Sequence, residues 1–208
     1  TAANYLTRPP KRSDVLSVFA GLRPLAAPRS EGKKTKEISR SHKLIREKSG
    51  LITIIGGKWT TYRKMAQDTL DLAIRYMHIP TKDCITEHYQ IHGSRKNPDF
   101  SDPLYVYGTD ADEIRNLVAS SPAMAEKLHP DYAYTVGEVT WLVRNEMPRT
   151  LEDVLARRLR ILFLDARAAM AMAPKVAGIL ATEWGKDETW TSAQVKAFNE
   201  VASNYILN

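Results

Sequence analysis

A single cysteine, Cys84, in 208 residues excludes an internal disulfide and fits a reducing compartment, so the expected location is cytoplasmic. No apolar run approaches the roughly 20 residues of a membrane-crossing helix. Acidic residues are scarce in the first third: residues 1–64 carry 15 Lys and Arg against 4 acids, while the rest carry 15 against 20. All the excess positive charge therefore surrounds the opening segments, which favours an anionic partner there. Aromatics are missing altogether from 29–48, where single-stranded nucleic acid would want rings interleaved with the bases. Nucleic acid is accordingly not expected as a partner. Most of 29–36 reads as a solvated, lysine-rich loop.

What is present is the composition of an ordinary globular protein, 43% apolar and 26% charged, long enough for one large domain or two small ones. There is no internal repeat, heptad array or low-complexity tract. The opening "TAANYL" reads as the end of an element already under way, so a piece of a longer protein is expected.

The chain divides by pattern at about residue 100. "DVLSVFAGL" (14–22) and "ISRSHKLI" (38–45) read as strands, the second by its alternation. "LITIIGG" (51–57) is a β-branched run, expected to pair antiparallel with 38–45 across the turn at 46–50. A long helix is expected over 59–77, with Pro80 beyond its end, and "CITEHYQIHGS" (84–94) is a further strand candidate. From 110 onward five or six helices are expected. Thr109, Thr135, Thr150 and Thr191 each stand three residues before an acid or amide, and Ser121 precedes Pro122, all in the manner of helix starts. The fold class is thus α+β: a small antiparallel strand segment and a long helix in 1–100, then an all-α domain in 101–208.

The stretch with most chemistry is "IIGGKWTTYRKM" (54–65). It is not a P-loop, because Ile52 and Trp59 stand where that motif needs glycine and Ser or Thr. What remains is a strand, two glycines and a helix start. Glycine allows a sharp turn and a close backbone approach to a ligand. The first amides, near Trp59, Thr60 and Thr61, have no intrahelical acceptor, and Lys58 adds charge to the positive end of the helix dipole. Such a turn suits an anion, either a phosphate or the electron-rich edge of a reduced flavin. A plain tight connection is the competing account.

Around that turn the order of motifs resembles the flavin-dependent glycerol-3-phosphate dehydrogenases: "FAGLRPL", a polar loop, "ISRSH", then "SGLITIIGGKWTTYRKMAQDTLD". The later "GEVTWLVRNEMPRTLEDVLARRLRILFLDARAAMAMAPKVAGIL" is similar to that family's helical C-terminal domain. The glycine fingerprint of the family's N-terminal dinucleotide-binding segment does not occur here, so the chain resembles the C-terminal portion of the enzyme. The resemblance implies FAD as cofactor, with Gly56, Gly57, Lys58, Trp59, Thr60 and Thr61 approaching the flavin. It implies that Arg23 and Arg40 bind the substrate phosphate, a task suited to the planar guanidinium fork. The implied reaction takes sn-glycerol 3-phosphate to dihydroxyacetone phosphate, with hydride to the flavin and electrons to a quinone. It leaves open a glycerophosphate oxidase that uses oxygen, and it allows a homodimer and peripheral contact with the inner face of a membrane. A non-catalytic anion-binding or helical interaction module is the alternative of another class. No general base is assigned. His42 would share a face with Arg40 on a regular strand, but the expectation is an exposed strand histidine.

Other chemistry-bearing residues have plainer explanations. The basic run 156–160 reads as a solvated helix face with internal pairs, and Trp141 and Trp184 as packing. His88 and His92 lack a further ligand set, so no metal site is expected. Asp110 and Asp112 read as helix-start acids.

Overall fold

The computed structural model describes residues 4–22 and 41–207. In packing, residues 41–91 form one unit, whereas residues 4–20, expected with the strands, lie with the helical unit 92–207.

The smaller unit is a hairpin and a helix. Strand β1 (His42–Arg46) pairs antiparallel with β2 (Ile52–Gly56), in a register that sets His42 opposite Gly56 and Arg46 opposite Ile52. The reversal is the expected turn, closed by Glu47 N–H to Leu51 O at 2.9 Å. After a 3-10 turn, Trp59–Thr61, helix α1 runs over Tyr62–Met77 and stops at His78, whose left-handed φ of 53° precedes Pro80. The Arg46 guanidinium lies 3.7 Å from the Tyr76 ring centroid, holding the far end of the hairpin to α1. Arg63 joins α1 to the following loop through Thr86 and Glu87. That loop contains the stretch expected as a strand at 84–94, which instead forms turns and extended links without a ladder partner among the described residues.

The helical unit contains, among the described residues, α2 (Ala111–Ala119), α3 (Pro122–Ala125), α4 (Val136–Asn145), α5 (Ile161–Leu164), α6 (Ala166–Trp184) and α7 (Glu188–Ser203). Helix α6 is its axis: Ala169, Met172, Ala173, Val176, Ala177 and Leu180 are buried against its neighbours. The many alanines let those helices approach closely. Three starts follow the sequence reading. Ser121 accepts Met124 N–H ahead of Pro122, and Thr135 accepts Glu138 N–H. Thr150 and Asp153 cap each other reciprocally, the backbone bonds being 2.9 and 3.1 Å. Two starts differ. Thr191 lies inside α7, which begins after Asp187, whose carboxylate takes Trp190 N–H at 2.8 Å. The start near Thr109 has Asp110 at the cap, with its carboxylate turned to His92 rather than to the helix.

The segment after Thr150 is not one amphipathic helix. Residues Asp153–Arg158 are π-helical, with Leu159 N–H reaching Val154 O, and Arg160 then turns left-handed at φ 60° before α5. Within the expected basic run, Arg157 pairs with Glu152 and Asp153, and Arg158 with Glu146.

The other correction concerns 14–22. After a 3-10 turn at Arg12–Asp14 this stretch is extended but pairs with no strand among the described residues. Residues 16–18 bond instead to the helical unit: Leu16 O accepts Ala166 N–H, Val18 N–H donates to Tyr205 O, and Ser17 Oγ donates to Leu162 O.

Candidate functional site

Strand β2 runs into Gly56 and Gly57, which carry φ of 76° and 88°. Two successive residues on the left-handed side need glycine, because a Cβ there meets its own backbone. At Gly57 a second reason applies: a Cβ would stand 2.5 Å from Met65 Sδ and 3.3 Å from His42 Cβ. The glycine pair thus turns the chain sharply and lets α1 close against β1.

Past the turn, Thr61 closes a small loop on Lys58: Lys58 N–H donates to Thr61 Oγ1 at 3.3 Å, and Thr61 Oγ1 and N–H both donate to Lys58 O. This corrects one expectation, since the Thr61 amide is spent inside the 3-10 turn. The Trp59 and Thr60 amides still precede the first intrahelical acceptor. Lys58 is exposed and has no ion-pair partner among the described residues. Trp59 is 86% exposed and leans on Tyr62, ring centroids 5.8 Å apart. Lys58, Trp59 and Thr60 are thus all exposed at the helix start.

Behind the turn lies His42. Its side chain is only 20% exposed, not the exposed strand histidine expected, and its Nε2 lies 2.9 Å from Asp68 Oδ2 on α1. Lys64 reaches the other Asp68 oxygen at 3.0 Å. The Lys64 contact first, and the His42 contact with it, hold the Asp68 carboxyl below its usual range, against a smaller opposing effect of burial. No motif in the sequence marks this pair directly. Its one clue was the spacing of Lys64 and Asp68, one helical turn apart, on the face toward β1.

Arg23 and Arg40, the residues expected at the substrate phosphate, lie outside the described residues. Arg40 stands two residues before His42, and Arg23 four after Phe19.

The helical unit has its own buried carboxylate. Glu138 on α4 is 4% exposed and accepts a hydrogen bond from Tyr107 Oη at 2.8 Å. Burial pushes its carboxyl up to about 7, opposed by the bonds from Tyr107 and the Thr135 backbone. Glu138 borders a cavity of 680 Å³ with Tyr107, Tyr134, Arg158 and Phe163. Trp141 is packed in the core with its indole N–H on Glu113, and Trp184 packs edge-to-face on Trp190. His92 is bonded to Asp110.

The donors at Gly56–Thr60 are backbone amides and one ammonium, a set that fits an electron-rich ring edge or a phosphate. Compared with known proteins, residues 51–191 match the family described as the C-terminal domain of alpha-glycerophosphate oxidase. A probable mitochondrial glycerol-3-phosphate dehydrogenase of Caenorhabditis elegans is 36% identical over 94% of the chain, and a mitochondrial glycerol-3-phosphate dehydrogenase of Arabidopsis thaliana is 32% identical over 97%. The corresponding protein of Mesocricetus auratus is 31% identical over 94%. The chain spans only 29% to 39% of the length of these relatives. All three are named as mitochondrial, which overturns the cytoplasmic location expected from the lone cysteine; a matrix-facing or membrane-facing protein can lack disulfides equally well.

Proposed function

Since the chain belongs to the family of the C-terminal domain of alpha-glycerophosphate oxidase, we propose that it is the C-terminal part of a mitochondrial flavoenzyme oxidising sn-glycerol 3-phosphate to dihydroxyacetone phosphate. The observation that carries this reading is the Gly56–Gly57 turn. Two successive glycines with positive φ deliver β2 into a helix start at which Lys58, Trp59 and Thr60 are exposed.

The FAD that this reading requires supplies, when bound, the acceptor for the hydride leaving C2 and the route of the electrons to a quinone. This chain's residues do the rest. The Trp59 and Thr60 amides and the Lys58 ammonium would stabilise negative charge on a flavin held at this turn. Gly56 and Gly57 present no side chain, so the backbone itself can lie close to the ring. Arg23 and Arg40 clamp the phosphate and so hold the C2 hydroxyl in a reactive orientation, converting binding energy into positioning.

The test uses the full-length enzyme. Arg23→Ala or Arg40→Ala removes charge-assisted hydrogen bonds worth roughly 1.5–3 kcal/mol each, so kcat/KM for glycerol 3-phosphate falls about 10-fold to 100-fold. Lysine at either position restores only part, keeping the charge without the fork. Activity on unphosphorylated glycerol changes much less, and flavin content stays at the wild-type level. Equal losses on both substrates, with FAD retained, would overturn the phosphate assignment.

A further inference from the structure

Gly57 sits between two walls. A Cβ there would stand 3.3 Å from His42 Cβ on β1 and 2.5 Å from Met65 Sδ on α1, so strand and helix meet across the glycine backbone. The register adds to this, since His42 is the partner of Gly56. One polar bond ties the walls together: His42 Nε2 lies 2.9 Å from Asp68 Oδ2. Asp68 follows Met65 by three residues, on the same face of α1. The other Asp68 oxygen goes to Lys64 and takes no part in the crossing.

Helix α1 is held to the hairpin again near its far end, where the Arg46 guanidinium lies over the Tyr76 ring at 3.7 Å. From Tyr76 back to the helix start at Tyr62 is about 21 Å at the usual rise of about 1.5 Å per residue. Without the His42–Asp68 bond, a tilt of about 3° at Tyr76 moves that start by about 1 Å. A shift of that size can cost about 100-fold in rate where a reacting group must be held in place. Lys58, Trp59 and Thr60 move with it, because Thr61 is bonded back to Lys58 and leads directly into α1.

We infer that Asp68, acting through His42, is a positioning residue for the flavin: their bond sets where Lys58 and the Trp59 and Thr60 amides stand at the end of β2. This rests on the reading that the Gly56–Gly57 turn meets the flavin. Neither side chain has to touch the cofactor. A carboxylate has the wrong charge to stabilise a reduced flavin, so the contribution of Asp68 is geometric. That difference gives the experiment its sign. Donors held in place favour the reduced flavin and raise its midpoint potential; a nearby negative charge lowers it.

The experiment measures FAD affinity and flavin midpoint potential in the full-length enzyme carrying Asp68→Ala or Asp68→Asn. Asp68→Ala loses the bond. It is expected to weaken the reduced flavin about 10-fold more than the oxidised one, which lowers the potential by about 30 mV for a two-electron couple. Asp68→Asn loses the charge but can still accept from His42, so it stays near the wild-type potential. Amide exchange at Gly57 and Thr60 in the FAD-free enzyme is faster in Asp68→Ala than in Asp68→Asn. Lys64→Ala breaks only the other bond to the same carboxylate and leaves affinity and potential unchanged. A rise of potential in both Asp68 variants means that the carboxylate acts through its charge, and overturns the positioning role. An unchanged potential in Asp68→Ala overturns it too, as does an equal fall in Asp68→Asn or Lys64→Ala. Lys58→Ala separates the two ideas. If it lowers the potential while Asp68→Ala does not, the flavin reading stands and the positioning role falls. If it moves neither FAD affinity nor potential, the flavin reading falls and takes the positioning role with it.

Discussion

His42 Nε2 lies 2.9 Å from Asp68 Oδ2, so the strand entering the hairpin is tied to the helix leaving the glycine turn. This bond closes the Gly56–Gly57 turn from behind, and its loss should open the site without touching any outward-facing donor. His42→Ala is expected to speed amide exchange in β1 and lower the thermal stability of 41–91. Lys64→Ala, which removes the more exposed partner, should do less. Because the Asp68 carboxyl is held low in the folded state, its contribution is present above the ordinary value of 3.8. It is lost as pH falls through the lower folded value. An acid titration followed by exchange at β1 checks both sign and place; unchanged exchange in His42→Ala would sink the idea.

Gly57 should be intolerant of the smallest side chain. Gly57→Ala forces a Cβ into a left-handed position and against Met65 Sδ, at a cost of about 1–3 kcal/mol for the backbone alone. Gly178 on α6 is the opposite case: nothing stands within 4 Å of a Cβ there. Gly178→Ala should therefore stabilise by about 0.5–1 kcal/mol through helix propensity. Urea unfolding of the two variants gives shifts of opposite sign; a neutral Gly57→Ala would mean that the turn is not held as described.

Glu138 makes the stability of the helical unit pH-dependent. Its carboxyl is at about 7 when folded, against 4.5 as the ordinary value. Between those limits the folded state holds the proton and the unfolded state does not, so stability falls as pH rises from about 4.5 through about 7. Linkage puts the loss at up to about 3 kcal/mol by pH 8. Glu138→Gln still accepts the Tyr107 hydroxyl but cannot ionise, so its unfolding midpoint should be flatter across that range. Parallel pH profiles for variant and wild type would exclude Glu138 as the source.

The elements legible in the sequence were those whose signals are local. The hairpin followed from alternation and a polar turn, and the starts at Ser121, Thr135 and Thr150 from caps that act within three residues. The segment 14–22 was misread because its apolar, β-branched content states only that it is half-buried and extended. Whether a ladder or a set of helix ends receives its backbone is decided some 145 residues away, at Leu162. Thr191 lost the capping role to Asp187, a competing acceptor four residues earlier. Of the candidate site, Gly56, Gly57 and Lys58 were readable from the motif. The His42–Asp68 bond was not, because it depends on how β1 and α1 pack.

The Ser17–Leu162 bond also sets an order of events during synthesis. Residues 16–19 leave the ribosome well before the groups they will bond to exist, separated from them by 145 residues. At the usual roughly 5–20 residues per second this is a wait of about seven to thirty seconds. For that interval Leu16 and Phe19 are exposed apolar side chains on an unpaired extended segment, the kind that invites strand addition by a neighbour. Arg8, Lys11 and Arg12 on one side, and the basic stretch from Arg23 onward on the other, flank it with positive charge. Like-charged flanks repel a second nascent copy, so the same lysines and arginines that suit an anionic ligand also guard the segment while it waits.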